Sequence, residues 1–183
     1  MRRTWLFVPG ADEAAQSAAT RSGADVLIQE LEDFTPPALR PQARALAGEL
    51  YGRWRKAGAL AAVRVNPLET CGREDLAAAL AGKPDIVLMS KVESPEQVRA
   101  LAEAAPGVEL VPNIESARGL LRVQEIARAS PQVTALRART WWPTSAPHAV
   151  ALARSSHTCA SAFSSNAAPP AWKRSTRPTP SAT

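Results

Sequence analysis

Charged side chains follow four successive apolar runs of the chain. Residues 30–33 supply three carboxylates after the second run, Arg64 lies near the end of the third, and Lys91 and Glu115 follow the fourth and fifth. Carboxylates with few other ligands suit a hard, oxygen-seeking ion such as Mg²⁺. The planar guanidinium of Arg64 matches a substrate carboxylate. Together these residues indicate a site for an anionic oxo-acid.

A single charged residue of this kind is more often a solvated loop charge or one half of a structural ion pair. The joint pattern favours a site, because the carboxyl ends of successive parallel strands converge on one face. The first histidine of the chain is His148. Chemistry within the first 136 residues therefore has to use carboxylates, arginine, lysine or a metal.

Alternating strand and helix patterns are the elements that position these side chains. Six short apolar runs rich in β-formers predict strands at residues 4–8, 25–29, 61–65, 85–89, 109–113 and 132–136. Between them lie helical patterns, one of which has its apolar face at Ala43, Leu46, Ala47, Leu50, Tyr51 and Trp54. A second helix is predicted to begin after Ser94, with Pro95 in its first turn and Gln97 at its third position.

The strand and helix units repeat about every 24 residues, which predicts βα units on a parallel sheet. The strands are almost continuously apolar, as expected when helices cover the sheet. A closed eight-stranded barrel typically needs ~250 residues, whereas these six units occupy 136. Two architectures fit, an open doubly wound sheet or an incomplete (β/α) barrel without its last quarter.

Five stretches of sequence occur in the order and spacing of a known family. They are LFVPG (6–10), GAD (23–25) leading to LED (31–33), VRVNP (63–67), KVES (91–94) and IESARG (114–119). Over residues 3–136 the chain resembles the citrate lyase β-subunit branch of the HpcH/HpaI aldolase superfamily. The resemblance favours the incomplete TIM-type barrel, about six βα units followed by an irregular C-terminal tail.

The resemblance also implies an activity and roles for particular residues. It implies a Mg²⁺-dependent carbon–carbon lyase acting on a CoA-type acyl thioester or a related oxo or hydroxy acid, homo-oligomeric in the intact family member. Arg64 would be catalytic and bind the substrate carboxylate or carbonyl, and Glu115 would bind the metal and face the substrate. Glu32 and Asp33 would also be catalytic and would line the metal site. Lys91 is expected in a structural Lys–Glu pair.

Two departures from the family pattern affect the expected metal site. Glu30 stands where the family usually has aspartate. After strand six the family has a Gly-x-Glu-Asp-Leu motif whose aspartate is the second metal ligand, but this chain continues Arg137-Ala138-Arg139. We therefore expect weak or absent Mg²⁺ binding and an impaired enzyme. The alternative is a non-catalytic remnant that binds a partner such as an intact homologous subunit.

The composition changes at the same place. Up to Leu136 there are 16 basic and 17 acidic residues, and from Arg137 to Thr183 there are six basic residues and no acid. Read one base out of frame with suitable synonymous codons, Arg139 to Pro147 encodes Glu-Asp-Leu-Val-Ala-Asp-Leu-Gly-Ala. We interpret 1–136 as a partial barrel domain and 137–183 as a basic tail of low order produced by a frameshift.

Several other classes of protein are not indicated. The basic balance belongs to the tail alone, so a nucleic-acid partner is not expected of residues 1–136. No apolar run is long enough for a membrane span or a signal peptide, and two cysteines form no disulfide framework. The sequence predicts a cytoplasmic protein without a membrane partner.

Overall fold

The structure is a computed structural model that describes residues 2–138 and the main chain of residues 151–154. Most of the predicted tail, including Arg139 and the proposed out-of-frame segment, lies outside the described residues. One short strand, β7 (Ala151–Arg154), falls within the segment predicted to be irregular and pairs antiparallel with β6 (Ala135–Ala138). The division into domains 1–136 and 137–183 stays a prediction.

Strands and helices alternate along the chain as the repeat predicted. Before β6 the strands are β1 (Trp5–Pro9), β2 (Val26–Glu30), β3 (Leu60–Val65), β4 (Ile86–Met89) and β5 (Glu109–Ile114). The helices are α1 (Glu13–Ala19), α2 (Arg40–Lys56), α3 (Gly72–Ala81), α4 (Pro95–Ala104), α5 (Ala117–Leu121) and α6 (Val123–Ala127), with a 3₁₀ turn at Pro37–Leu39. None of the described helices is long and apolar enough to cross a membrane.

The order of the strands decides between the two architectures. Strands β1 to β6 are parallel and lie side by side in chain order. A doubly wound sheet reverses its strand order part-way, so that alternative is wrong here. The six parallel strands curl into a half-barrel with helices on its outside, as expected of an incomplete TIM-type barrel.

The last parallel strand begins later than residues 132–136 predicted. Val133 already forms an isolated parallel bridge with Leu110 on β5, but continuous pairing starts only at Ala135 and runs to Ala138. Arg137 is therefore part of the sheet and pairs with Asn113. The prediction from the sequence followed the run of apolar residues and ended the strand at Leu136, because the next residue, Arg137, is charged.

The strands are apolar on both faces, and each face belongs to a different hydrophobic cluster. On the outer face, strand residues such as Leu27 and Val63 pack with the buried face of α2, where Ala43, Ala47, Leu50, Tyr51 and Trp54 are fully buried. Leu46, predicted on the same face, is only half-buried. On the inner face a separate cluster contains only strand residues, Val26, Ile28, Ala62, Ile86, Leu88, Val111 and Ala135.

Helix α4 begins as its sequence predicted. The hydroxyl of Ser94 accepts a hydrogen bond from the amide of Gln97, and the Gln97 side chain accepts one from the amide of Ser94. This capping box sets the end of the loop that follows β4. The loop carries Lys91, so the cap contributes to positioning that side chain.

A layer of polar side chains lies at the carboxyl end of the inner face. Side chains alternate between faces along a strand, so the residue two positions after an inner-face apolar residue also faces inward. Ile28, Ala62, Leu88, Val111 and Ala135 belong to the inner cluster. Two residues beyond them lies what we call the polar layer, Glu30, Arg64, Ser90, Asn113 and Arg137.

Candidate functional site

Arg64 lies at the centre of the predicted site and is almost completely buried, with 2% of its surface exposed. Its Nε is 2.8 Å from Oε1 of Glu30, the residue opposite it on β2. Its Nη2 is 3.3 Å from Oε2 of Glu32 and 3.6 Å from Oδ2 of Asp33. Its Nη1 is 3.8 Å from Oε1 of Glu115. The structure thus brings together every residue that the sequence proposed for the site.

Glu30 anchors this arrangement and is itself fully buried. Besides Arg64, its carboxylate accepts hydrogen bonds from the amides of Glu32, at 2.6 Å, and Phe34. These bonds fold the chain after β2 back over the end of the strand, which carries Glu32 and Asp33 toward Arg64. Because its oxygens are already engaged by three donors, Glu30 orients the site rather than binding a ligand.

The loop after β1 closes over the same place. Thr35 donates its hydroxyl hydrogen to the carbonyl oxygen of Glu30 and accepts a hydrogen bond of 2.9 Å from the amide of Gly10. A Cβ at Gly10 would lie 2.5 Å from that carbonyl oxygen. The close approach explains why the LFVPG stretch ends in glycine at this point.

Lys91 forms the Lys–Glu pair expected from the sequence, and its partner is Glu32. The two groups are 2.7 Å apart, from Nζ to Oε1. The hydrogen bond to Glu32 raises the pKa of Lys91. The backbone of Lys91 has φ 54°, a left-handed conformation that is uncommon for a residue with a side chain. Lys91 therefore lies in a tight turn after β4, and its ion pair with Glu32 connects this turn to the loop after β2.

Glu115 faces two arginines and one backbone amide. Its Oε1 lies 3.3 Å from Nη1 of Arg137, and its Oε2 accepts a hydrogen bond of 3.3 Å from the amide of Lys91. Burial raises the pKa of this carboxyl and the charge of Glu32 adds to the rise, while Arg64 and Arg137 oppose it. The Glu115 carboxylate thus takes up a proton more readily than an exposed glutamate does.

Two contributors to the site were missed from the sequence. Arg137 reaches Glu115 because it lies on the inner face of β6, which the predicted strand boundary excluded. The Phe7 ring contacts both arginines, with the guanidinium carbon 5.2 Å from its centroid for Arg64 and 4.8 Å for Arg137. Such cation–π contacts favour placing two like charges close together. The alternation of side chains along β1 and β6, which places Phe7 and Arg137 on the inner face, could have predicted both residues.

The carboxylates of the candidate metal site already have partners within residues 2–138. Within residues 2–138 no group of three or more Asp, Glu, His or Cys side chains is arranged to hold a metal ion. Glu30 is occupied by backbone amides, and Glu32 and Glu115 each lie against a cation, Lys91 and Arg137 respectively. The assignment of Glu115 as a metal ligand stays a prediction.

Comparison with known proteins found a matching family model and several related sequences. Residues 3–137 match the family model described as HpcH/HpaI aldolase/citrate lyase. The chain belongs to this family. A (3S)-malyl-CoA thioesterase of Cereibacter sphaeroides is 36% identical over 140 residues, covering 73% of this chain and 47% of the relative. The citrate lyase subunit beta of Leuconostoc mesenteroides is 30% identical over 142 residues, covering 71% and 47%.

A solved member of the family has the same fold over the matched region. It is the citrate lyase beta subunit of M. tuberculosis complexed with oxaloacetate and magnesium, with a TM-score of 0.59 and 32% identity, covering 75% of this chain and 59% of that one. The chain spans about half the length of the curated family members it matches. Magnesium is thus found with this family, while its binding by this chain is a separate question.

Proposed function

We propose that residues 3–137 form the acid-binding part of a carbon–carbon lyase site for a CoA-type acyl thioester or a related oxo or hydroxy acid. The observation that carries the proposal is a buried arginine, Arg64, held at the carboxyl end of a half-barrel. It lies at the end of the sheet where (β/α) barrel enzymes have their active sites. In this role Arg64 orients the substrate by its carboxylate or carbonyl oxygen.

One hydrogen bond fixes the guanidinium of Arg64, and longer ion pairs surround its other two nitrogens. Glu30 fixes Nε with a hydrogen bond of good geometry. Nη2 lies near Glu32 and Asp33 but makes no hydrogen bond. An incoming carboxylate would form a pair of parallel hydrogen bonds with this edge by displacing the carboxylates that now lie against it. Glu32 and Asp33 border this edge and would shape the acid that fits.

The family supports this class of substrate. The relatives named above are a malyl-CoA thioesterase and a citrate lyase subunit, and the solved relative was complexed with oxaloacetate. All three names share a short acid with two or more carboxyl groups, free or as a thioester. We propose that this chain takes an acid of the same class.

We propose further that the chain is impaired as a lyase. A metal bound at the site would polarise the substrate carbonyl, but among the described residues Glu115, its expected ligand, lies beside two arginines, Arg64 and Arg137. The frameshift hypothesis accounts for the loss, because the shifted frame restores the acidic motif after β6. It concerns residues outside the described part of the chain and stays a proposal.

A second candidate is a partner-binding remnant, and one observation favours it. Among the described residues β1 pairs on one side only, with β2. An unpaired edge of a parallel sheet is a template for another chain. An intact homologous subunit that co-purifies with the chain while no acid binds would favour this alternative.

Calorimetric titration of oxaloacetate into the 183-residue chain tests the leading proposal. Arg64→Lys keeps the charge but loses the planar fork, so we expect the affinity to fall by about tenfold or more. Arg44→Lys is the matched control, because Arg44 also bridges two carboxylates, Glu74 and Asp75, away from the site. Equal affinity for oxaloacetate in the wild type and Arg64→Lys would overturn the proposal, provided that both melt cooperatively.

A further inference from the structure

Two glutamines are fully buried behind the sheet, on the side that faces the helices. Gln16 lies on α1 and Gln29 on β2, and each is 0% exposed. Gln29 stands between Leu27 and Leu31 on the outer face of β2, and both leucines belong to the outer hydrophobic cluster. An amide side chain among apolar residues destabilises the fold unless it is hydrogen-bonded. The partners of the two glutamines therefore show what these side chains do.

The two side chains converge on one backbone oxygen, the carbonyl oxygen of Gly10. Nε2 of Gln16 donates to this oxygen at 2.7 Å and to the carbonyl oxygen of Pro9 at 3.2 Å. Nε2 of Gln29 donates to the same Gly10 oxygen at 3.3 Å. Side chains from two different elements thus hold the loop that follows β1.

Gln29 is in turn held by α2. Its Nε2 donates to the carbonyl oxygen of Ala43 at 2.6 Å, and its Oε1 accepts a hydrogen bond of 2.7 Å from the Tyr51 hydroxyl. Tyr51 is fully buried, and burial raises the pKa of its hydroxyl. The hydroxyl therefore stays protonated and serves as a donor. The amide of Gln29 is fixed on both its oxygen and its nitrogen.

The Gly10 peptide is connected to the candidate site through its amide. The Gly10 amide donates to the Thr35 hydroxyl oxygen at 2.9 Å, and that hydroxyl donates to the carbonyl oxygen of Glu30. The carboxylate of Glu30 fixes Nε of Arg64 and the amide of Glu32. A continuous path of hydrogen bonds thus runs from the glutamines behind the sheet to the arginine on its inner face.

We propose that Gln16 and Gln29 are positioning residues for the acid-binding site. They hold the Gly10 peptide so that Thr35 fixes the turn after β2 against Arg64. The inference rests on the proposed function and goes beyond it, because it places determinants of acid affinity on the outer side of the sheet, where no substrate is contacted. A site whose supporting residues are lost becomes loose, and small displacements of its groups weaken binding.

Calorimetric titration of oxaloacetate into the full 183-residue chain tests this inference with Gln16→Met, which keeps the length of the side chain and removes its amide. We expect the affinity for oxaloacetate to fall by about fivefold or more, because the loop that supports Thr35 loses its main anchor. Thermal melting is measured on the same samples. A lower melting temperature is expected as well, since hydrogen bonds to two backbone carbonyls are lost.

Gln132→Met is the matched control. The Gln132 amide also donates to two backbone carbonyls, those of Ala105 and Val108, at 2.7 and 2.8 Å. Gln132 precedes β6 and therefore lies at the amino end of the sheet, opposite to the candidate site. This variant should lower the melting temperature as Gln16→Met does, but should leave the affinity for oxaloacetate within about twofold of the wild type.

A double-mutant cycle tests the path through Thr35. Thr35→Val removes the hydroxyl that connects Gly10 to Glu30, so it should weaken the binding of oxaloacetate by itself. If Gln16 acts through Thr35, adding Gln16→Met to Thr35→Val should cost less than about a further twofold in affinity. Fully additive effects of the two substitutions would overturn the inference.

The outcomes separate this inference from the proposed function. A wild type that binds no oxaloacetate overturns both. Affinity that depends on Arg64 but not on Gln16, or equal losses of affinity in Gln16→Met and Gln132→Met, overturns the positioning role and leaves the acid site intact. If Gln16→Met does not fold, Gln29→Met combined with Tyr51→Phe carries the test, because it removes both partners of a buried hydrogen bond. Unchanged affinity in that double variant is then the contradicting result.

Discussion

Arg64 and Glu30 together determine the geometry of the site. Arg64 is buried beneath four carboxylates, and a buried charge is tolerated only when it is paired and hydrogen-bonded. Glu30 supplies that pairing and also binds the amides of the loop that carries Glu32 and Asp33. One fully buried carboxylate thus fixes the arginine and the acids around it.

Glu30→Gln should lower the free energy of unfolding by about 2 kcal/mol, as expected when a charge-assisted hydrogen bond becomes a neutral one. The amide also replaces one acceptor with a donor that faces a backbone N–H. Urea unfolding at neutral pH measures the change. Glu49→Gln is the control, because Glu49 is exposed and lies 4.0 Å from Arg53, so its effect should stay within about 0.5 kcal/mol. Equal effects of the two variants would show that Glu30 is not an anchor.

The residues of the site were predictable where motif and strand end coincided. Arg64, Glu32, Asp33 and Glu115 lie where the pattern of strand ends placed them, although their catalytic roles stay predictions. Ser90 and Asn113 were not predicted as members of the polar layer, because a neutral polar residue after an apolar run is also typical of an ordinary loop. Whether such a residue has a partner depends on its three-dimensional neighbours, which a sequence does not contain.

At the scale of elements, β1 and β2 are joined at their amino ends by side-chain hydrogen bonds in addition to the main-chain hydrogen bonds of the sheet. Asp25 precedes β2, and its Oδ2 accepts hydrogen bonds from the amides of Arg3, at 2.6 Å, and Thr4, at 2.8 Å. The Thr4 hydroxyl donates to the same oxygen at 2.9 Å. These bonds hold the start of β1 against β2 and give the GAD stretch a structural reason.

This contact predicts a pH dependence. The amides of Thr4 and Arg3 lower the pKa of Asp25 from its ordinary value of 3.8. A carboxylate with a lowered folded pKa stabilises the fold above the unfolded pKa, and this contribution is lost as pH falls through the folded pKa. Asp25→Asn should therefore melt below the wild type at pH 7, with a gap that closes as pH falls below 3.8. A gap independent of pH would contradict this account.

The order of the elements could be predicted better than their limits. The repeat of about 24 residues predicted six parallel strands, and the buried face of α2 matched five of its six predicted residues. The end of β6 was missed because its pairing with β5 depends on backbone register, and Arg137 has no apolar character to signal it. The choice between barrel and doubly wound sheet needed the family resemblance, since both are made of the same units.

At the scale of the whole molecule, we propose that the chain combines an acid-binding half with an incomplete metal site. Its described residues bring together Arg64, the anchoring carboxylate of Glu30 and the other members of the polar layer. Against these, the chain matches about half the length of its curated relatives, and Arg137 lies beside Glu115 where a second ligand carboxylate would need space. We therefore expect recognition of the acid to survive better than catalysis.

Calorimetric titration of Mg²⁺ into the 183-residue chain tests this division most directly. We predict that Mg²⁺ does not bind, or that it binds weakly and Glu115→Gln leaves this binding unchanged. The reason is that the carboxylates of Glu32 and Glu115 are already paired with cations. The control is the chain translated in the shifted frame after codon 136, which regains the acidic motif and should bind Mg²⁺. Tight binding of Mg²⁺ by the chain as given, abolished by Glu115→Gln, would contradict the account.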